Sequence, residues 1–218
     1  MITIDGPAGA GKSTVGKALS RQLSYIYLDT GALYRAVAYK VIQEGITPDN
    51  HVRLADLCCR ISIHLKNEDG YMKVFVNDED VTDKIRTEGI GLLASKISAI
   101  PTVRNALFLV QREAGKKGGI VAEGRDMGTV IFPDADFKFF LDAGVEERAN
   151  RRYKELLMRG DHIDFQEIQK DLIQRDRQDR EREVAPLVPS ENAVVIDSTN
   201  MTISGVIDQM ISVIQSRL

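Results

Sequence analysis

Two hydrophobic periods alternate along this chain of 218 residues. Short, continuous apolar runs at 1–5, 25–28, 119–123, 137–141 and 193–196 read as strands buried on both faces, as in the interior of a parallel sheet. Between them apolar positions recur at helical spacing over 14–23, 30–44, 51–60, 88–98, 101–116, 145–158, 165–180 and 203–217. Local punctuation agrees, since Asp29-Thr30 suits a helix start and Pro101 suits a first helical position. The alternation predicts an α/β fold, a parallel sheet covered on both faces.

The period changes once. Segments 61–66 and 71–77 alternate polar and apolar residues, and Asn67-Glu68-Asp69-Gly70 between them has hairpin chemistry. This small β unit reads as a subdomain inserted into the α/β rhythm. No internal repeat, low-complexity tract or interdomain linker interrupts the chain elsewhere.

With 43% hydrophobic and 28% charged residues, the chain suits one globular domain with a real core. A formal net charge of −3 argues against nonspecific nucleic-acid binding. No apolar run is long enough to span a bilayer and the N-terminus is occupied by the first strand. Neither a signal peptide nor a membrane anchor is therefore expected, and a cytoplasmic protein is. Cys58 and Cys59 are adjacent in a helical stretch, where core packing is a better reading than a disulfide or metal site. His51, His64 and His162 lack metal-ligand spacing.

The first strand runs into Gly6-Pro7-Ala8-Gly9-Ala10-Gly11-Lys12-Ser13, which satisfies the phosphate-loop pattern GxxxxGK followed by Ser or Thr. Backbone N–H groups can wrap a polyphosphate only where glycines accept unusual dihedrals and leave no Cβ in the way. Lys12 is placed to reach β and γ phosphates, the Ser13 hydroxyl can meet Mg²⁺, and the helix from Thr14 turns its N-terminus to the anion. Switches, motors and small-molecule kinases all use this loop, so it does not name the reaction.

Two other clusters carry chemistry. Glu123-Gly124-Arg125-Asp126-Met127-Gly128 follows a buried strand, at the end where ligands of open α/β sheets sit. Arg175, Asp179 and Arg182 are spaced by four and three, which places them on one helix face. Alone, that run reads equally well as a solvated helix with ion pairs. Beside a phosphate loop it suits a lid that brings cations to a transferring phosphoryl group.

The segments IDGPAGAGKS, LDTGALYRA, SKISAIPTVR, EGRDMGTVIFPDA and KFFLDA, RDRQDRER with VAPLVP, and a late DSTN resemble the bacterial cytidylate kinases over essentially the full length. The resemblance implies a three-layer P-loop kinase fold with a central parallel sheet, an inserted β-containing monophosphate-binding subdomain and a short helical lid. Core about 1–35, 117–148 and 185–218, insert about 36–116 and lid about 149–184 are the implied parts of one domain. ATP would lie on Gly6, Pro7, Ala8, Gly9, Ala10, Gly11, Lys12, Ser13 and Thr14, with Mg²⁺ at Ser13. For CMP or dCMP, the resemblance puts Thr30, Arg35, Arg125 and Arg182 at the acceptor phosphate. It puts Ser95, Arg104 and Asp126 at the cytosine, and Arg175 and Asp179 at the ribose. Lys12, Arg125 and Arg182 would act in catalysis, and Arg151, Arg152 and Arg159 are lid cations by position. Thr30 departs from a common serine but keeps the hydroxyl, and Gln178 stands where some relatives have arginine.

The implied reaction moves the γ-phosphoryl group of ATP to CMP or dCMP. Its acceptor is already an anionic oxygen, so no catalytic carboxylate is expected, nor is a nucleic-acid or membrane partner. Monomer is the default. Two rivals stay open: a uridylate kinase of similar fold, and a P-loop switch or motor. Against the latter, no NKxD segment occurs, and 137–141 with Asp142 matches a Walker B strand only loosely.

Overall fold

The apolar runs do become neighbouring strands. In a computed structural model describing residues 1–68, 71–158, 160 and 164–217, the strands are β1 (Ile2–Asp5), β2 (Ile26–Asp29), β3 (Ile63–Glu68), β4 (Tyr71–Val76), β5 (Glu79–Asp80), β6 (Ile120–Gly124), β7 (Phe137–Asp142) and β8 (Val194–Asp197). They form one sheet in the order β3-β4-β2-β6-β1-β7-β8, with β5 paired to β4. The five strands from β2 to β8 in that order are mutually parallel. β1 and β6 are buried at every position. Val121 packs with Ile2 and Ile4 against α1 (Lys12–Leu23), while its neighbours Ile120 and Ala122 face a separate core with Leu28 and Phe132. Cores on both faces explain why these strands are apolar without alternation.

The remaining helices are α2 (Thr30–Gln43), α3 (His51–Arg60), α4 (Glu88–Ile97), α5 (Pro101–Gly115), α6 (Val145–Met158), α7 (Phe165–Glu181) and α8 (Ile203–Ser216). Side chains of Asp29, Asn50, Thr87, Asp164 and Thr202 cap five of them by accepting first-turn N–H groups. α1 starts at Lys12, two residues ahead of the predicted 14, because Gly11 takes the left-handed conformation (φ 93°) and turns the loop straight into the helix.

The structure departs from expectation at the 67–70 turn, at Cys59 and at Arg182. The β hairpin joins the main sheet: β3 pairs antiparallel with β4, and β4 meets β2 through a single parallel pair, Tyr27↔Tyr71. Of the expected turn, Asn67 and Glu68 still belong to β3, and 69–70 lie outside the described residues. Cys58 packs against the core formed by α2 to α5, but Cys59 is exposed. Arg182 does not continue the helical face of Arg175 and Asp179, because α7 ends at Glu181 and Arg182 is extended (φ −63°, ψ 139°).

The segment from Ala32 to Leu107 buries its own core, including Leu33, Val37, Leu54, Leu57, Val76 and Ile97. α6 and α7 pack on each other through Ala149, Leu156, Ile168 and Leu172, with Ala8 of the phosphate loop beneath. The expected turn at 159–161 between these helices lies, apart from Gly160, outside the described residues. A one-turn π-helix, Met127–Ile131, follows β6 and was not foreshadowed by any period.

Candidate active site

The carboxyl ends of β1, β2 and β6 lie level, with Asp29 paired to Glu123 and Asp5 to Gly124. The phosphate loop leaves β1 there. Gly6 has φ +148°, and a Cβ on it would lie 1.9 Å from the Leu141 carbonyl oxygen, so only glycine lets the loop pass β7. The Lys12 ammonium curls back over the loop and donates to the Pro7 carbonyl at 2.7 Å. Burial, then the nearby Arg125 and Arg175, pull Lys12 down to about 7, against Glu123 and Asp179. An anion in the loop would restore its proton.

Around the loop stands a carboxylate cluster. Ser13 Oγ donates to Glu123 Oε1 at 2.7 Å, and the Tyr27 hydroxyl donates to the same oxygen at 2.5 Å. Glu123 Oε2 is buried without a protein partner. Burial and then the Asp29 carboxylate push Glu123 up from the usual carboxylate range. Burial acts on Asp29 in the same direction, but Arg35 Nη2 at 2.7 Å and the Ala32 N–H at 3.1 Å outweigh it and hold Asp29 low. Thr30 Oγ1 donates to the Glu123 carbonyl at 2.7 Å, an approach open because Gly124 has no Cβ. Among the described residues no three His, Cys, Asp or Glu side chains form a metal cage. The Ser13 hydroxyl and the unpartnered Glu123 oxygen do fit a hydrated magnesium ion that arrives on nucleotide phosphates.

Near Lys12, arginines interlock with two aspartates. Arg104 is buried, donates to the Ser98 carbonyl at 3.2 Å and pairs with Asp126. Arg182 Nε donates to the Ala185 carbonyl at 2.6 Å and Nη1 to Ser98 Oγ at 3.3 Å. Its guanidinium stands 4.0 Å from both Asp126 and Asp179. Arg125 Nε donates to Asp179 at 2.7 Å. Burial, and then Arg125, pull Arg175 down to about 10. The Ser95 hydroxyl, Arg35 Nε, Arg175 Nε and Arg182 Nη2 are buried without hydrogen-bond partners. Four arginines (104, 125, 175, 182) gather around two carboxylates, so guanidinium outnumbers carboxylate in this partly buried cluster.

An arginine cluster near the lysine of a phosphate loop suits two polyanions, and a family comparison narrows the choice: the model of the family described as "Cytidylate kinase" matches residues 2–216. The chain belongs to the cytidylate kinase family. It is similar to a cytidylate kinase of Citrifermentans bemidjiense, 50% identical over 218 residues that cover all of this chain and 94% of that one. It is also similar to a cytidylate kinase of Pasteurella multocida, at 43% over 218 residues, all of this chain and 96% of that one. Among solved structures, an uncharacterized protein of Eubacterium ventriosum superposes with a TM-score of 0.56 at 12% identity, over 99% of this chain and 97% of that one, a likeness of fold.

The residues that the cytidylate kinase resemblance singled out fall into separate places. Lys12 and Ser13 occupy the loop, Thr30 and Arg35 the start of α2, Arg104, Arg125, Asp126, Asp179 and Arg182 one ion-paired cluster, with Arg175 electrostatically close to it, and Ser95 is buried on α4. Of the residues expected as lid cations, Arg151 donates to Glu147, to Ser198 and at 3.4 Å to the Ala10 carbonyl. Arg152 pairs with Glu155 and with Glu88 of α4, and Arg159 lies outside the described residues. Sequence reasoning did not single out Glu123, Asp29 or Tyr27 as partners of these groups. For Glu123 the signal was present, a carboxylate ending an otherwise apolar strand. It also missed Arg148, which is buried in α6 and ties Ala8 of the loop (3.0 Å) to Asp176 of α7 (2.6 Å). No pattern along the chain distinguishes that arginine from its neighbours.

Proposed function

We propose that this cytidylate kinase family member transfers the γ-phosphoryl group of ATP to CMP or dCMP. The observation that carries the reading is the buried Arg104–Asp126 pair, next in the chain to Arg125, whose charge acts on Lys12. Cytosine offers an amino donor beside an acceptor nitrogen, and a carboxylate next to an arginine is the complementary pair; uracil reverses both positions. The Ser95 hydroxyl, buried and unpartnered, supplies a further contact to the base.

ATP lies on residues Gly6 to Thr14. Arg35, Arg125 and Arg182 take the acceptor phosphate, because the guanidinium fork donates in pairs and stays charged. Their positive charge lets two polyanions approach, and Lys12 stabilises the negative charge that spreads to the donor side during transfer. Ser13 and Glu123 would hold magnesium, which would supply further charge neutralisation. The acceptor oxygen is already anionic, so the protein's contribution is alignment, charge and exclusion of water. The segments 36–116 and 149–184 act as insert and lid on the core; the separate apolar cores of α2 to α5 and of α6 with α7 support that division.

A coupled ADP-release assay across the common monophosphates, with ATP and Mg²⁺, tests the substrate. CMP and dCMP should give the highest kcat/KM. A preference for UMP would reassign the protein, and ATP turnover without any monophosphate would favour a switch or motor. Asp126→Ala should lower kcat/KM for CMP by about 10- to 100-fold more than for UMP, the cost of an unsatisfied buried polar contact.

A further inference from the structure

Asp5 is a buried carboxylate one residue ahead of the phosphate loop, and the reaction as derived gives it no part. Its two oxygens are fully used. Oδ1 accepts the Met127 N–H and Oδ2 the Gly128 N–H, each at 2.8 Å. Those amides open the π-turn that directly follows Asp126, where first-turn donors have no partner within the helix. Asp126 does not cap the turn with its own side chain, which instead pairs with Arg104. The turn is also closely packed, because a Cβ on Gly128 would fall 2.7 Å from Ser190 Oγ and 3.1 Å from Thr3 Oγ1, the latter on β1 with Asp5. The backbone bearing Asp126 is thus held by the two-pronged acceptor on β1 and by close packing against Thr3 and Ser190.

We propose that Asp5 is a positioning residue for base selection: by gripping the amides of 127 and 128 it fixes the direction in which Asp126 presents its carboxylate to the acceptor base. This rests on Asp126 being the base-reading group. It also joins the donor and acceptor halves of the site within one strand end, since the residue after Asp5 begins the phosphate loop. Losing one prong leaves a buried N–H unpaired and lets the turn rotate, and small misplacements of a recognition group carry large kinetic consequences.

The test compares wild type, Asp5→Asn, Asp126→Ala and the double variant in steady-state kinetics with CMP and UMP. Asp5→Asn should lower kcat/KM for CMP by about tenfold and that for UMP far less, with the KM for ATP within about twofold. Added to Asp126→Ala, it should narrow discrimination no further. Asp5→Asn that raises the ATP KM and leaves the CMP-to-UMP ratio intact would assign Asp5 to the phosphate loop and overturn the proposal, as would narrowing that adds fully to that of Asp126→Ala. If Asp126→Ala itself leaves the ratio unchanged, the base-reading assignment fails first and takes this inference with it. Narrowing in Asp126→Ala without narrowing in Asp5→Asn sinks the inference alone. Amide hydrogen exchange on the wild-type protein tests the clamp without any variant: the Met127 and Gly128 protons should be strongly protected, and prompt exchange of both overturns it.

Discussion

Lys12 shows how a single residue is tuned by what surrounds it. Burial and two neighbouring guanidinium groups hold its ammonium near 7, against an ordinary value of 10.5. Between those values the folded chain binds fewer protons at this site than the unfolded chain, so stability contributed by Lys12 rises with pH. Relative to Lys12→Met, the nucleotide-free wild type should therefore gain up to about 2 kcal/mol between pH 7 and pH 9, read from urea midpoints in buffers without phosphate or sulfate. Saturating ATP should erase the slope, because the polyphosphate keeps the amine charged throughout. A slope of the opposite sign would mean that Lys12 is paired with a carboxylate in the free protein.

Among the elements, α2 does two jobs with one carboxylate. Asp29 caps the helix through the Ala32 N–H and also orients Arg35 one turn on. Asn caps as well as Asp but carries no charge. Asp29→Asn should thus change the stability by less than about 1 kcal/mol, yet raise the KM for CMP several-fold as Arg35 loses its anchor. Equal losses in both measurements would tie Arg35 to the cap alone. Helix starts of this kind were legible in the sequence, because a cap at Asp29 or a proline at Pro101 acts within one turn of its own position. The parallel strands were legible for a similar reason, their burial on both faces being written as unbroken apolar runs. What escaped depends on contacts between distant segments. The hairpin's docking on β2, the π-turn held by Asp5 from 122 and 123 positions away, and the Glu123 bonds to Ser13 and Tyr27 leave no periodic trace. The arginines proposed for the acceptor side were singled out through family resemblance, since a run of charged residues alone reads equally as a solvated helix. Even then Arg182 proved to lie beyond its helix.

For the molecule as a whole, the segment from Ala32 to Leu107 buries a core separate from those flanking the central strands. Leu57 lies fully buried within it. Leu57→Ala should cost about 2–5 kcal/mol, the usual range for a leucine truncated in a packed interior. Hydrogen exchange should then rise across 32–107 well before it rises in β1 and β6, and CMP should restore part of the protection. A uniform rise throughout the chain would show instead that all the cores melt as one unit. That division has a mechanical side. β1 is laced to β6 by four paired positions, Ile2↔Val121 through Asp5↔Gly124, whereas β2 meets β4 at one, Tyr27↔Tyr71. Held in an optical trap and pulled across this boundary, the molecule would tear along the β2–β4 seam first, shedding its hairpin as a unit while the strands that carry the phosphate loop stayed stitched together.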